Sequence, residues 1–422
     1  MENQTLKMEE LKDTVQDCNI NFLIGSGISR PFLGTLGKIE ILLTEIDKRD
    51  DINEDKKKIV RASLYKNFFD TAINGNIEIL NFNGDCDENV CSSVKSKLEN
   101  EEEPTEEEKL CCTLSSYRNF LKIINSILLN RKSTILSKQV NVFTTNVDIF
   151  LEKALENSNV EYNDGFSGRF KPSFNLGNFK KSYFKKSLHY DNTSELPVFN
   201  LMKAHGSVTW KKQLDKEEIL FSPNLDEISA VKQKEISEGK LIEIGDDPDI
   251  EALISSAESI EIDDSVHDFL NEYEKLSIVN PTKEKFKDTV LNQTYYEILR
   301  IFLNEMEKEN TILFVMGFSF ADEHIRKIII RAANSNPTLK IYIFAYTDNT
   351  KAAINSEIEK SNPNNKNIKI ISPKDIEVED EEVSAEMKLD LQTLNEVVFE
   401  KLLEMIDRKE FQKKKEETKE RN

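Results

Sequence analysis

The chain has 422 residues, of which 38% are hydrophobic and 32% are charged, and its formal net charge is −20. A chain of this length can form two domains, or one large domain with insertions, around a substantial core. The acidic excess repels nucleic acid and anionic lipid over most of the surface. The composition therefore argues against direct nucleic acid binding and against a membrane protein.

The cysteines and the amino-terminal sequence indicate in which cellular compartment the protein is expected. The five cysteines are odd in number and include no Cys-x-x-Cys pair, and the neighbours Cys111 and Cys112 are not expected to bridge each other. We therefore expect reduced thiols in a cytoplasmic protein. The opening sequence, MENQTLKMEELKDTV, is typical of a charged amphipathic helix and not of a signal peptide. No apolar run approaches the length needed to span a bilayer.

The first predicted strand and the turn after it, at residues 19–29, carry the first functional motif. A strand that ends in Gly-x-Gly and turns into a helix permits close backbone approach and offers N–H groups to a pyrophosphate. The usual dinucleotide fingerprint has a third glycine where this chain has Arg30, so an ordinary two-glycine turn fits the motif equally well. The residues of this turn that we assign to nucleotide binding are Gly25, Ser26, Gly27, Ile28 and Ser29.

Six apolar segments of strand length alternate with segments of helical periodicity. They lie at residues 20–24, 140–143, 198–203, 311–316, 339–345 and 368–371. Such alternation is typical of a parallel sheet covered by helices on both faces. The sequence therefore predicts an α/β fold with a doubly wound, mostly parallel Rossmann-like sheet. Residues 157–190, which lack a clear period, are predicted to form a long loop over the site.

Two long helical segments and a carboxyl-terminal extension interrupt this pattern. Residues at about 50–135 alternate amphipathic helices with polar breaks, and residues at about 224–290 are mostly acidic and helical. We interpret both as insertions in a domain that spans residues 1–372. Residues 373–422 comprise an acidic break, an amphipathic helix and a charged tail with the composition of a disordered segment. The apolar stripe of that helix fits packing on the core or on another subunit equally well.

Polar signatures follow four of the predicted strands. In open parallel sheets ligands bind beyond the carboxyl ends of the strands, so these residues are expected to meet. Besides the glycine turn, they are Thr145, Asn146 and Asp148 after the second strand, His205 and Gly206 after the third, and Gly317 and Ser319 after the fourth. Each signature is common alone, and their shared position indicates a site.

Ordinary structural roles compete with the site role at several positions. A lone histidine is usually a core residue, but His205 precedes Gly and Ser where a strand becomes a loop, which favours a site. Asn146 is a potential helix cap, although we favour the site role for it. Asp148 fits a site and the first turn of a helix equally well, and so does Asp322, which opens a later helix.

These motifs resemble those of the sirtuin (silent information regulator) family. The matching pairs, in chain order, are GSGIS at 25–29 with GAGIS, TTNVD at 144–148 with TQN-[IV]-D, KAHGS at 203–207 with the catalytic HG motif, and GFS at 317–319 with the GTS nucleotide motif. The resemblance covers residues 19–50, 138–215 and 295–372 and leaves the insertions out. It implies the sirtuin type of Rossmann-like fold and the binding of NAD.

Two departures separate the chain from the sirtuin deacetylases. Those enzymes carry a zinc module with two Cys-x-x-Cys pairs after the HG motif, whereas this chain has no cysteine beyond Cys112. The stretch GFSFADEHI at 317–325 is closer to a bacterial sirtuin-like branch that degrades NAD in anti-phage systems, often beside a HerA-type ATPase or another sensor. The resemblance therefore implies NAD+ hydrolysis with no zinc and no cofactor beyond NAD+ as substrate.

The chemistry of that reaction fits the candidate residues. Cleavage of the nicotinamide–ribose bond passes through an oxocarbenium-like state, and nicotinamide leaves as a neutral molecule. The reaction needs a held ribose and a water on its opposite face. His205 would accept a proton from a ribose hydroxyl or from water, and Asn146 would orient those hydroxyls and that water. Gly317, Ser319 and Asp348 would reach the adenosine side.

We therefore expect a NAD glycohydrolase of anti-phage defence that depletes NAD in abortive infection. A hydrolase that empties its own cell of NAD must be restrained, so we also expect a homo-oligomer or gating by a partner such as a HerA-type ATPase or another phage sensor. Two alternatives stay open. One is a protein deacylase or ADP-ribosyltransferase, and the other is a non-catalytic module that binds NAD or ADP-ribose and signals to a partner.

Overall fold

The structure is a computed structural model that describes most of the chain. The described residues are 5–35, 37–84, 86, 90–100, 102–131, 135–213, 218–245, 247–279, 289–361, 366–376 and 387–407. Three segments named in the sequence analysis lie outside the described residues. They are residues 280–288 of the second predicted insertion, the acidic break that follows residue 376, and the charged tail from Gln412.

Among the described strands, those of five or six residues all belong to the central sheet. In chain order the strands are β1 (Asn19–Ile24), β2 (Gln139–Thr144), β3 (Glu161–Asn163), β4 (Phe166–Ser167), β5 (Ser173–Phe174), β6 (Phe184–Lys186), β7 (Thr193–Glu195), β8 (Val198–Lys203), β9 (Trp210–Gln213), β10 (Glu218–Phe221), β11 (Thr311–Met316), β12 (Lys340–Phe344) and β13 (Ile368–Ile371).

Helices fill most of the sequence between the central strands. They are α1 (Met8–Asp17), α2 (Ile39–Asp47), α3 (Glu54–Phe68), α4 (Asn76–Asn81), α5 (Val90–Glu99), α6 (Glu106–Leu129), α7 (Phe150–Asn157), α8 (Asp226–Lys232), α9 (Ile250–Glu258), α10 (Asp264–Tyr273), α11 (Thr289–Met306), α12 (Glu323–Ser335), α13 (Asp348–Glu359) and α14 (Leu391–Leu394). Within the described ranges, none of these helices combines the length and the apolar character that crossing a membrane requires.

Seven parallel strands form the central sheet, in the order β13-β12-β11-β1-β2-β8-β3. The chain starts in the middle at β1, builds one half through β2, β3 and β8, and then builds the other half from β11 to β13. The order therefore reverses between β1 and β11, which is the topological switch point where ligands bind in such sheets. The predicted α/β class with a doubly wound, Rossmann-like parallel sheet is confirmed.

The central sheet is buried on both faces. Successive residues of β11 alternate between two apolar clusters, with Phe314 in one and Val315 in the other, as the two-residue period of a strand requires. Helix α6 covers the first face, where Phe22 of β1 meets Phe120 edge-on at 5.0 Å. Helices α11 and α12 cover the second face. Continuous apolar strands of this kind need cover on both sides.

The carboxyl-terminal helix packs on its own chain. It begins as α14, continues as a π-helix at Asn395–Phe399, and is helical over 400–407. The Asn395 side-chain amide donates to the Ser116 carbonyl of α6 at 2.9 Å, and the Phe399 ring lies 5.5 Å from that of Phe120. The sequence left open whether this helix packs on the core or on another subunit. In the structure it packs on the core.

The segment 157–190 is not the continuous loop that the sequence predicts. It holds β3, β4, β5 and β6, each of two or three residues. Strand β3 pairs with β8 at the edge of the central sheet, and β5 pairs with β10 in a separate sheet. Strands of two or three residues are too short to show a two-residue periodicity, so the local pattern did not reveal them.

The cysteines also differ from expectation, because Cys86 and Cys111 form a disulfide. The prediction of reduced thiols is therefore wrong for this pair. The Cα atoms of the two residues lie 5.4 Å apart, within the usual range for a disulfide. A separation of 25 residues along the chain gives no sign of that contact. Cys18, Cys91 and Cys112 are free and buried.

The turns after β1 and β11 touch at the switch point. The Gly25 N–H donates to the Met316 carbonyl at 2.9 Å, and the Gly27 N–H donates to the Gly317 carbonyl at 3.1 Å. A Cβ atom at Gly25 would overlap the Gly317 carbonyl oxygen, and one at Gly317 would lie 2.6 Å from the Ile28 nitrogen. Glycine is required at these positions because the two backbones lie against each other.

Replacing Gly25 by alanine tests this close approach. We expect Gly25→Ala to lower the free energy of unfolding by about 1–3 kcal/mol, since the new methyl group forces the two turns apart. Chemical denaturation measures the change. Gly245→Ala is the matched control, because no described atom lies within 4 Å of the added Cβ there. A Gly25→Ala variant as stable as the control would contradict the close-packed switch point.

Candidate active site

Backbone and side-chain hydrogen bonds join the loops at the carboxyl edge of the central sheet. The Thr144 hydroxyl at the end of β2 donates to the Ile24 carbonyl at the end of β1, at 2.8 Å. The Ala204 N–H after β8 donates to the Thr144 carbonyl at 2.9 Å, and the Val208 N–H donates to the Val147 carbonyl at 3.0 Å. The ends of three neighbouring strands therefore form one continuous edge.

Three of the sequence-predicted residues meet at this edge. The Ser29 hydroxyl, from the turn after β1, donates to Asp148 Oδ2 at 2.7 Å, and Asn146 Nδ2 donates to Ser29 Oγ at 3.1 Å. Ser29, Asn146 and Asp148 are only 1%, 4% and 6% exposed. Asp148 also accepts the Phe150 N–H at the start of α7 at 3.1 Å, so the helix-start role predicted as an alternative coexists with the contact to Ser29.

A fourth member of this cluster, Tyr117, was missed by the sequence analysis. It comes from α6 in the first predicted insertion, and its hydroxyl lies 3.1 Å from Ser29 Oγ. Burial, and then the charge of Asp148, raise the pKa of Tyr117 well above its ordinary value, so the phenol keeps its proton. Tyr117 stands among apolar residues at helical spacing, a pattern typical of a core residue, and nothing local distinguishes it.

The Asn146 side chain has one polar atom without a partner in the part of the chain that the structure describes. Its Oδ1 is buried and accepts no hydrogen bond there. The backbone N–H of Asn146 donates to Thr144 Oγ1 at 2.9 Å, which fixes the main chain at this point. An unsatisfied buried acceptor costs about 1–3 kcal/mol, and such atoms are typical of functional sites. Asn146 Oδ1 is therefore a buried acceptor without a donor among the described residues.

His205 and Asp322 form a second pair. His205 Nε2 lies 3.2 Å from Asp322 Oδ2, although the two groups are not aligned as a hydrogen bond, and both side chains are mostly buried. Asp322 Oδ1 caps α12 by accepting the N–H groups of His324 and Ile325. The carboxylate is thereby held in place, so Asp322 has the helix-start role and also faces His205. The ring of Tyr295 lies 5.8 Å from the imidazole.

Gly206 fixes the backbone beside His205. Its φ is +79°, and a Cβ there would overlap the Ser277 carbonyl oxygen. The Val279 N–H donates to the His205 carbonyl at 2.8 Å, so a segment that follows α10 braces the histidine. A left-handed φ with a carbonyl in contact admits only glycine. The role of Gly206 in this structure is to set the position of His205.

A buried ion pair, also missed from the sequence, lies behind the Ser29 cluster. Lys203 Nζ is 2.8 Å from Glu152 Oε1 and also donates to the Asp148 carbonyl. Burial raises the pKa of Glu152, and the positive charge of Lys203 opposes that shift. The pair connects the end of β8 to α7, and its two residues lie too far apart in sequence for spacing to predict it.

The other predicted site residues lie elsewhere on the carboxyl edge. Ser319 is exposed after β11, and the Thr145 N–H donates to the Ile24 carbonyl at 3.2 Å. Asp348, at the start of α13, forms an ion pair with Lys374 at 2.7 Å, and a hydrogen bond from Lys374 lowers the pKa of that carboxyl. Among the described residues, no three His, Cys, Asp or Glu side chains are grouped to hold a metal ion.

The match to a known protein family covers the half of the sheet that starts at β11. Residues 268–371 match the SIR2-like domain. The match runs through Gly317, Ser319 and Asp322 and ends with β13, so it supports a sirtuin-like protein with an NAD-dependent activity in general. Asn146 and His205 lie outside the matched residues. A search of curated proteins found no match to the chain.

The ion pair behind the site can be tested by its effect on stability. We expect Lys203→Met to lower the free energy of unfolding by about 3–5 kcal/mol, because it leaves the Glu152 carboxylate buried without a counter-charge. Since the pKa of Glu152 is raised in the folded state, folding favours its neutral form. The loss should therefore be largest at neutral pH and shrink as the pH falls toward about 4.3.

The double variant Lys203→Met with Glu152→Leu is the matched control for this prediction. It removes both charges, so it should recover at least half of the stability that the single variant loses. Chemical denaturation between about pH 4.5 and pH 8 measures all three proteins. A double variant as unstable as the single one, or a loss that does not change with pH, would contradict the assigned ion pair.

Proposed function

We propose that the protein cleaves the nicotinamide–ribose bond of NAD+ with water, giving nicotinamide, ADP-ribose and a proton. The observation that carries the proposal is the placement of the buried Asn146 acceptor and of His205 after neighbouring strands of one sheet. The match of residues 268–371 to the SIR2-like domain supports NAD as the ligand. NAD+ is the substrate in this proposal, with no further cofactor and no zinc.

The proposed mechanism divides the work between the two clusters. Nicotinamide leaves as a neutral group, so the transition state needs stabilisation of an oxocarbenium-like ribose and delivery of a water. Asn146 Oδ1 would accept a hydrogen bond from a ribose hydroxyl or from that water, holding it in position. His205 would accept the proton, and Asp322, 3.2 Å from Nε2, would balance the charge of the resulting imidazolium.

Nucleotide binding would use the switch point between β1 and β11. The N–H groups of Gly25 and Gly27 already donate to carbonyls of the neighbouring turn, so a pyrophosphate would meet other groups there, such as the half-buried Ser26 hydroxyl. Gly317, Ser319 and Asp348 are our candidates for the adenosine side. This assignment keeps the predicted location of the nucleotide and changes which atoms hold it.

We also propose that the activity serves anti-phage defence in the cytoplasm and is gated by self-association or by a partner. Hydrolysis of NAD+ in a cell that is not infected would harm the host. We therefore propose an enzyme that is held inactive until infection. The similarity of the stretch at 317–325 to NAD-degrading defence proteins supports this role. A HerA-type ATPase or another phage sensor is the kind of partner we propose.

Liquid chromatography of NAD+ incubated with the purified protein tests the activity. The protein is assayed alone and with the product of the adjacent gene. We expect Asn146→Ala and His205→Ala each to lower the turnover rate by at least about a hundredfold, since positioning and proton transfer each contribute that much. His189→Ala is the matched histidine control, because this residue is exposed, and it should leave the rate unchanged.

Three results would contradict the proposal. Turnover that survives in both the Asn146 and the His205 variant would remove these residues from the mechanism. Tight binding of NAD+ or ADP-ribose by calorimetry, with no turnover under any activating condition, would instead favour a non-catalytic signalling module. Release of the acyl group from an acyl-lysine peptide would favour a deacylase.

A further inference from the structure

The hairpin that β6 and β7 form carries several exposed apolar side chains. Among the described residues, five large hydrophobic side chains are at least 64% exposed. Three of the five belong to this hairpin, where Phe184 is 64% exposed, Leu188 95% and Tyr190 74%. Single exposed apolar residues are ordinary, but a group of them on one short element is typical of an interaction surface.

The hairpin adds nothing to the apolar core. Within the part of the chain that the structure describes, the clusters on the two faces of the central sheet include no side chain from positions 180–196. Polar contacts hold the hairpin, from Gln139 Nε2 to Ser182 Oγ at 2.8 Å and from the Tyr183 hydroxyl to Asn163 Oδ1 at 3.2 Å. A two-stranded hairpin is only marginally stable when it buries so little apolar surface. Cover from a partner would supply the missing burial.

The segment that contains the hairpin is basic, although the protein is acidic. Residues 165–190 include six lysine or arginine residues and no aspartate or glutamate, whereas the whole chain has a formal net charge of −20. Lys185 and Lys186 lie in β6 beside Phe184. Lys186 lies 3.0 Å from Asp191, but an ion pair this exposed contributes little to stability. An apolar surface with positive charges beside it is complementary to an acidic protein surface.

A surface of that kind lies on the same chain, at the start of α6. Five of the seven residues at 102–108 are glutamates, and Glu103 is 88% exposed. Lys97 and Lys109 form ion pairs with this acidic stretch and leave it with an excess of negative charge. Leu98, at the end of α5, is 56% exposed and adds an apolar side chain just before the stretch.

The hairpin and the acidic stretch lie at opposite ends of α6. The 24 residues of this helix make it about 36 Å long. At its far end Lys138 Nζ donates to the Leu129 carbonyl at 3.3 Å, and the next residue, Gln139, contacts Ser182 of the hairpin. The tip of the hairpin is some seven residues beyond Ser182, which is a reach of at most about 24 Å. Contact between the two surfaces therefore requires a second copy of the chain.

We propose that the β6–β7 hairpin docks on the acidic stretch at 102–108 of a second copy of this chain. The second copy would cover the apolar side chains of the hairpin, and Lys185 and Lys186 would face its glutamates. The two surfaces differ, so the contact is heterologous and successive copies can join into a ring or a filament. The hairpin is held at Gln139, the first residue of β2, so the contact lies away from the carboxyl edge of the sheet.

Sedimentation velocity of the full chain over a range of concentrations tests the inference. We expect the wild-type protein to associate. The double variant Lys185→Glu with Lys186→Glu should raise the dissociation constant at least about tenfold, because like charges then face each other. The matched control is Lys327→Glu with Lys360→Glu, two lysines 66% and 58% exposed at α12 and the end of α13. The control should change the dissociation constant by less than about twofold.

A wild-type protein that stays monomeric at every concentration would overturn the inference. So would a Lys185→Glu, Lys186→Glu variant that associates as the wild type does. Phe184→Ser tests the apolar part of the contact and should also weaken association. Its matched control is Phe170→Ser, since Phe170 is 103% exposed in the turn between β4 and β5, and that variant should associate as the wild type does.

A charge swap tests which surface the hairpin meets. Glu103→Lys with Glu107→Lys should weaken association by itself. A mixture of this variant with the Lys185→Glu, Lys186→Glu variant should associate again, because each reversed surface then meets one of opposite charge on the other protein. A mixture that stays dissociated would overturn the inference. Circular dichroism of each variant checks that it is folded.

A nucleic acid is the other class of partner that this hairpin could bind, since basic and aromatic side chains also bind single strands. We expect no binding of a labelled single-stranded oligonucleotide. Binding by a monomeric protein that is lost in the Lys185→Glu, Lys186→Glu variant would overturn the inference in favour of a nucleic acid. All these measurements are made without NAD+, so the inference goes beyond the proposed function and fails or holds independently of it.

Discussion

The hydroxyl group of Ser29 is the contact on which the candidate site depends. It gives its proton to Asp148 and accepts hydrogen bonds from Asn146 and Tyr117. One oxygen atom therefore fixes the turn after β1, the loop after β2 and an inserted helix relative to one another. An unpaired buried polar group costs about 1–3 kcal/mol, so these side chains are stable there only in mutually satisfied orientations. Within the described residues, Asn146 Oδ1 is the acceptor of this cluster that has no hydrogen-bond partner, and our proposal assigns it to the substrate.

Close backbone packing sets a second constraint at the switch point. The turns after β1 and β11 exchange hydrogen bonds through Gly25 and Gly27, where a phosphate-binding turn would keep its N–H groups for the ligand. A nucleotide held beside such a turn depends more on side chains and on the polar clusters nearby. The glycines thus contribute by allowing contact between the two halves of the sheet.

Much of this arrangement was predictable from the sequence, because it is encoded locally. Four of the central strands are apolar runs followed directly by a polar signature, so the carboxyl edge and residues such as Asn146 and His205 could be placed without coordinates. Tyr117, Lys203 and Glu152 could not, because their roles depend on how an inserted helix and α7 pack against the strand ends. The disulfide also escaped prediction, because its two cysteines lie 25 residues apart, and the strands at 157–190 are too short to show a periodicity.

The central claim is that NAD+ binds at the carboxyl edge with its nicotinamide ribose between positions 146 and 205. A crystal structure of the Asn146→Ala variant with NAD+ tests it most directly, because the substitution is expected to preserve the substrate. The account predicts the ribose within hydrogen-bonding distance of the His205 imidazole and the pyrophosphate beside the turn at 25–29. A dinucleotide bound away from both, or one whose ribose faces neither position, would contradict the account.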